Sequence, residues 1–331
     1  MHLRSVGALK PDKDARARAK LDEILVSRQV VLVTGKGGVG KSVVSAALAL
    51  RARALGLKPL LFECDAPPRL SLLPNGKPAT DVVEEVAPGI LAINQRSDDA
   101  IRDYAAATLP SRAVADLLVE NRIARLFLKA SPSVSEMALV GRIAILAEKH
   151  GADGPVIVDL HATGHAISLV RAPGGIMRVL RGGVLYERAK KIEELLQDPV
   201  RTAFVTVALP EELPISEMLD LHAILRELKA PEGPVVLNAM YREPAPDVSD
   251  DVVRYLEEGP KVPAVAKHAA RDLAALRIWA RRCAREEQRL RAAIPERDLI
   301  VLPFLVDDGH LHDLVERLAE QLGRAPDGGA A

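Results

Sequence analysis

Short apolar runs alternate along this chain with longer stretches in which apolar and polar positions recur at helical spacing. Val30–Thr34, Pro59–Phe62, Ile90–Asn94, Val156–Asp159, Ala203–Ala208, Val235–Asn238 and Leu299–Phe304 are rich in β-branched residues or leucine and too short for helices. They predict strands buried on both faces. Strands separated by helices build a parallel, doubly wound sheet, whose ligands sit at the carboxyl ends of the strands. Between Asp98 and His150 the strand signal lapses, and Ala113–Lys129 and Val134–Lys149 instead carry helical periodicity; Gly175–Gln197 reads as one further helical stretch. These segments predict a helical layer, at about residues 97–150 and 170–200, added to the sheet. The expectation is an α/β fold with a mostly parallel sheet, one domain over residues 29–323. Residues 1–28 form a charged helix or tail whose first 20 residues fray, and residues 324–331 form a flexible Gly/Ala/Pro-rich tail.

Composition narrows the partners more than the fold. At 331 residues and 48% hydrophobic content the chain can bury a large core. Lys plus Arg equals Asp plus Glu at 45 each, so no global charge draws it to nucleic acid or acidic lipid, and no nucleic-acid partner is expected. Cys64 and Cys283 are far apart and lack CxxC spacing, which offers neither a disulfide framework nor a metal-ligand pattern and fits a reducing cytoplasm. The charged start of the chain lacks the apolar stretch of a signal peptide, and no apolar run reaches the roughly 20 residues of a membrane span.

The chemistry is concentrated in VVLVTGKGGVGKSVVSAALAL, which passes from a predicted strand through Gly35–Ser42 into a predicted helix. That context supports a G-x-x-x-x-G-K-[ST] phosphate loop and a P-loop NTPase type of sheet. Gly35, Gly37, Gly38 and Gly40, with Val39 between the last two, let the backbone curl so that successive N–H groups face phosphate oxygens. Lys41 would reach the β- and γ-phosphates of ATP, and the Ser42 hydroxyl would ligate Mg²⁺. The cofactors expected are therefore ATP and Mg²⁺.

Lys36, at the second position of GKGGVGKS, resembles the deviant Walker A lysine of the dimeric ATPases that include partition, nitrogenase-iron-protein, arsenical-pump and tail-anchored-protein-targeting members. In that group the lysine crosses to the partner's nucleotide, so the resemblance implies a catalytic role for Lys36 and a dimer. FECDAPPRLSLL resembles the switch I of the arsenical-pump and tail-anchored-targeting branch, and VIVDLHATGHAISLVRAP its Asp-x-x-x-Thr-Gly-His switch II. The resemblance implies that Asp65 orients or deprotonates the attacking water and that Asp159 holds Mg²⁺ through water. It implies equally that Thr163, Gly164 and His165 sense the γ-phosphate. Asn238 is placed like the family's base-contacting asparagine, and an amide suits adenine because it donates and accepts on one edge. Leu302-Pro303-Phe304 resembles the family's last strand and the loop closing over the base.

Departures from the pattern bear on function. Asp65 is followed by Ala-Pro-Pro-Arg rather than Pro-Ala-His-Asn, and Arg69 is either a phosphate or partner contact or a solvated side chain. No cysteine triplet for arsenite is present, and only 5 methionines occur, so a methionine-rich client groove is not evident. The helical stretches carry apolar stripes, Val114–Phe127 and Met137–Leu146, which either pack as core or line a groove with Ile176–Leu185 for an apolar client. The reading expected first is an ATP-hydrolysing dimeric switch of the bacterial arsenical-pump-like branch, a homodimer or a heterodimer with a related ATPase, acting on an apolar protein segment or docking on a membrane complex. A slowly hydrolysing regulatory subunit and a partition or positioning ATPase are the alternatives. Against the last, the amphipathic stretch His310–Gln321 is acid-balanced rather than lysine-rich.

Overall fold

The computed structural model describes residues 14–64, 72–108, 132–160, 163–295, 298–306 and 311–323. Among them eight strands form one sheet in the order β3-β4-β2-β5-β1-β6-β7-β8. They are β1 (Val30–Gly35), β2 (Leu60–Cys64), β3 (Glu84–Ala87), β4 (Ile90–Gln95), β5 (Val156–Asp159), β6 (Thr202–Ala208), β7 (Glu232–Met240) and β8 (Leu299–Pro303). All neighbours run parallel except β3 and β4, which are antiparallel. All seven predicted strands are present. The eighth, β3, was missed because its Glu-Glu-Val-Ala sequence gives only half a strand signal, although the Pro88-Gly89 turn behind it, with Gly89 at φ +74°, marks a hairpin.

Alternation along the strands divides the core. Val31 and Val33 of β1 face one side with α1 (Ala15–Ser27), α2 (Lys41–Ala54) and α10 (Leu311–Gly323). Val30 and Leu32 face the other with α3 (Ser97–Thr108), α4 (Pro132–His150), α5 (Thr163–Val179), α6 (Val184–Gln197) and α7 (Glu212–Glu227). Phe62 and Phe204 are fully buried in this second layer, each such side chain contributing about 1.5–3 kcal/mol. A third cluster joins β7 and β8 to α7 and the long α9 (Ala264–Ala293), which α8 (Asp250–Glu258) precedes. Arg277 of α9, 3% exposed, fastens the approach to α8 through Asp250 Oδ1 at 2.8 Å and the Ala245 carbonyl at 2.6 Å.

Two expectations about the helices change. Residues 15–20 do not fray: Ala17 and Leu21 are fully buried, Lys20 pairs with Asp298 and Asp22 takes both ends of the Arg51 guanidinium at 2.8 and 2.6 Å. Asp14, just before α1, accepts from the Val301 backbone N–H at 2.9 Å and from Arg291 at 3.0 Å. The predicted helix Gly175–Gln197 is two helices, because Gly182-Gly183 breaks it, with Gly183 at φ +91°. Of the two readings of the stripe Met137, Leu139, Val140, Ile143 and Leu146, packing as core is the one seen, since all five are buried in the second layer. The other stripe, Ala113–Lys129, lies outside the described residues. The apolar face of α10 is likewise core, through Val315, Leu318 and Leu322. No helix among the described residues is long and apolar enough to cross a membrane.

Candidate nucleotide site

The loop Gly35–Ser42 leaves the carboxyl end of β1, between β5 and β6, and delivers Lys41 as the first residue of α2. Its glycines are there for backbone reasons. A Cβ on Gly35 would lie 2.2 Å from the Val207 carbonyl oxygen of β6, so no larger residue can leave the strand this close to its neighbour. Gly38 and Gly40 hold φ +82° and +92°, the left-handed region that favours glycine. Around Gly37 and Gly38 nothing lies within 4 Å of the added Cβ, which leaves a concave, open loop in front of the unpaired N–H groups of the helix start. Val39 is buried under the loop, and Ser42 is exposed at the first turn of α2.

The two loop lysines behave differently. Lys41 Nζ donates to the Lys36 carbonyl at 3.0 Å, and burial pulls its pKa below the ordinary lysine value while Asp159 opposes that shift. Lys36 Nζ instead pairs with Glu217 Oε1 of α7 at 2.8 Å. Asp159 ends β5, and Ser45 Oγ of α2 stands 3.5 Å from its Oδ1. Asn238 is held under the loop by its side-chain amide, which donates to the Val39 carbonyl at 3.0 Å. A Cβ on Gly40 would come within 2.4 Å of that amide. The position is set by a local irregularity: Ala239 adopts φ +54° and the β7–β8 register slips between Leu237 and Met240.

Thr163, Gly164 and His165 are the first residues of α5, with Gly164 and His165 exposed. Asp65, like Arg69, lies outside the described residues, directly after the end of β2 at Cys64. The loop, Asp159 and Asn238 thus lie at the carboxyl ends of the strands, with Asn238 bonded to the loop and Asp159 beside Ser45 of α2.

Two carboxyl groups escaped the sequence reading. Glu63 of β2 is in register with Asp159 of β5, and burial, reinforced by Asp159, pushes its pKa up to about 7. Glu136 of α4 faces α5, where burial raises its pKa against a hydrogen bond from Ser168 and the charge of His165. A glutamate inside an otherwise apolar strand, as in Leu-Leu-Phe-Glu-Cys, was the available signal for Glu63.

Beyond Asn238 the chain forms an aromatic group. Tyr241 stacks on Trp279 of α9 at 4.8 Å between ring centroids, and Phe304, after β8, meets Trp279 edge-on at 5.8 Å. Phe304 therefore belongs to the loop rather than the strand, and its N–H donates to the Met240 carbonyl at 2.9 Å.

Comparison with known proteins agrees with this geometry. The model of the anion-transporting ATPase family matches residues 28–184 and 181–258. The arsenical pump-driving ATPase of Escherichia coli is 28% identical over 223 residues, 64% of this chain and 35% of that protein. The chain thus spans about a third of that relative's length. The ATPase BagA of Mycobacterium tuberculosis is 28% identical over 322 residues, covering 88% of this chain and 92% of its own. Sheet, loop and family match converge: the chain belongs to the anion-transporting ATPase family and is an ATPase.

Proposed function

We infer that this ATPase is a cytoplasmic, Mg²⁺-dependent switch that works as a dimer, either of itself or with a related ATPase. The observation that carries the reading is the loop Gly35–Ser42, with two lysine side chains at the carboxyl end of the central strand and Asp159 alongside. The open glycine cradle and the partly buried Lys41 ammonium fit a triphosphate, and the Ser42 hydroxyl with the Asp159 carboxylate is a hard oxygen donor set suited to Mg²⁺. Bound there, Mg²⁺ would neutralise charge developing on the phosphates. Lys41 holds the β- and γ-phosphates. Asp65 orients the attacking water and takes its proton. Lys36 supplies a second cation across the dimer, as an arginine finger does. Thr163, Gly164 and His165 sense the γ-phosphate and pass its state to α5, and Asn238 meets the adenine edge.

What the switch acts on is an apolar protein segment or a membrane complex, and the surface that supports this is the α5–α6 junction. Val179, Val184 and Leu185 are exposed there, on the helices that follow Thr163–His165. A slowly hydrolysing regulatory subunit is the second reading, favoured by the Ala-Pro-Pro-Arg sequence after Asp65.

Single-turnover hydrolysis together with light scattering tests the proposal. Asp65→Asn should keep Mg²⁺-ATP bound, slow hydrolysis by roughly 10²–10⁴-fold and accumulate a dimer. Normal turnover in that variant would remove Asp65 from the mechanism, and a monomer with every nucleotide and with related ATPases would reject the dimer. Wild-type turnover no faster than that of the variant would favour the regulatory subunit.

A further inference from the structure

The ion pair between Lys36 and Glu217 deepens the reading of the loop, and it rests on the role given to Lys36 above. Lys36 Nζ lies 2.8 Å from Glu217 Oε1, and neither side chain makes another ion pair among the described residues. The two ends differ in mobility. Glu217 stands on the second turn of α7, between Ile215 and Met218, which are buried in the core beneath β7 and β8. Ser216 next to it is tied on both sides, donating to the Glu212 carbonyl at 2.8 Å and accepting from Arg289 of α9 at 3.0 Å. The carboxylate is therefore mounted on a fixed helix. Lys36, by contrast, precedes two glycines around which the structure leaves open space. Its ammonium can leave; the carboxylate stays.

Lys36 also holds the loop from the other side, since its carbonyl takes the Lys41 ammonium at 3.0 Å. One residue thus occupies both cations of the loop, one through its backbone and one through its own side chain. A triphosphate must compete for both. The Lys36 and Glu217 side chains are 31% and 38% exposed, so the pair is partly solvated and weak enough to exchange.

We propose that Glu217 is a positioning residue that holds Lys36 away from the phosphates, and that transfer of Lys36 from this carboxylate to the triphosphate is a step in forming the nucleotide-bound dimer. Glu217 touches neither substrate nor reacting atoms. It sets how much ATP is needed to recruit Lys36, and it keeps the second cation neutralised until nucleotide arrives.

The test is a coupling cycle read in Mg²⁺-ATP affinity, so that it does not depend on turnover. Fluorescent ATP binding is measured for wild type, Glu217→Gln, Glu217→Asp, Lys36→Ala and the Lys36→Ala/Glu217→Gln double variant, with circular dichroism to establish that each is folded. Losing a partly exposed pair should tighten binding in Glu217→Gln by roughly two- to fivefold. Glu217→Asp, which keeps the charge, should return toward wild type, and in the Lys36→Ala background Glu217→Gln should change nothing. Unchanged or weaker binding in Glu217→Gln overturns the proposal, as does an effect that persists without Lys36, which would mean simple repulsion of ATP by the carboxylate. Light scattering separates this from the parent reading. If Lys36→Ala dimerises with ATP as wild type does, the role of Lys36 across the dimer fails; if only the Glu217 arm is silent, that role stands and the holding contact alone falls.

Discussion

Replacing Gly40 by alanine isolates what the loop requires of its last glycine. Two costs add. The backbone sits at φ +92°, where an L-residue costs about 1–2 kcal/mol. The new Cβ would also lie 2.4 Å from the Asn238 amide nitrogen, an overlap of the kind that costs about 1–3 kcal/mol when the neighbour must move. Their sum, roughly 2–5 kcal/mol, falls on the loop rather than the sheet, so it should appear chiefly as lost Mg²⁺-ATP affinity, from about thirtyfold to over a thousandfold. Titration calorimetry on Gly40→Ala, Asn238→Ala and the double variant separates the terms. Asn238→Ala alone gives up one hydrogen bond, to the Val39 carbonyl, of about 1 kcal/mol. In its background Gly40→Ala should cost only the backbone part, about 1–2 kcal/mol. An equal penalty in both backgrounds, or none in either, would refute the packing of Asn238 against the loop.

Three further outcomes follow from other parts of the fold. Arg277→Ala removes a buried guanidinium that ties α9 to Asp250 and to the Ala245 carbonyl; because Asp250 is exposed and keeps Arg281, the loss should be about 1.5–3 kcal/mol, seen as a lower urea midpoint without loss of the ATP loop. His222, buried between Thr206 at 2.8 Å and Glu232 at 3.1 Å, has its pKa lowered by burial. The stability that goes with its neutral form is present above the unfolded value of about 6.5 and is lost as pH falls through the lower folded value; His222→Gln should flatten the urea midpoint over that acid range relative to wild type. The single tryptophan, Trp279, stacks on Tyr241 beside the Phe304 loop, so its emission should change on adding Mg²⁺-ATP if that loop covers the base. Phe304→Ala should abolish the change, and a constant spectrum in wild type would separate the aromatic group from the nucleotide.

The parallel sheet was legible because buried strands write their burial as unbroken apolar runs, and the loop because four glycines and a Lys-Ser pair stand in fixed order between a strand and a helix. What stayed hidden depends on partners distant in sequence. Nothing near Lys36 points to Glu217, which lies 181 residues on, and nothing at Asn238 foretells its bond to Val39, 199 residues away. The first residues of α1 read as a charged tail because Arg18 and Lys20 are usually solvent residues; only the fold shows that Ala17 and Leu21 on either side of them reach the core. Glu63 was passed over because its meaning comes from Asp159 on the next strand.

Asp14 carries a consequence for how copies of this chain meet. β8 is the last strand of the sheet, and a terminal strand offers a row of backbone donors and acceptors to any other strand that drifts alongside. One of those donors, the Val301 N–H, is already taken by the Asp14 carboxylate, which is in turn braced by Arg291. The start of α1 therefore works as a guard on the sheet margin: it fills a position where an intruding strand would add itself. Replacing Asp14 by alanine would leave Ala17, Leu21 and Leu25 of α1 in the core and free that donor, and the variant should self-associate through its strands at concentrations where the wild-type chain does not.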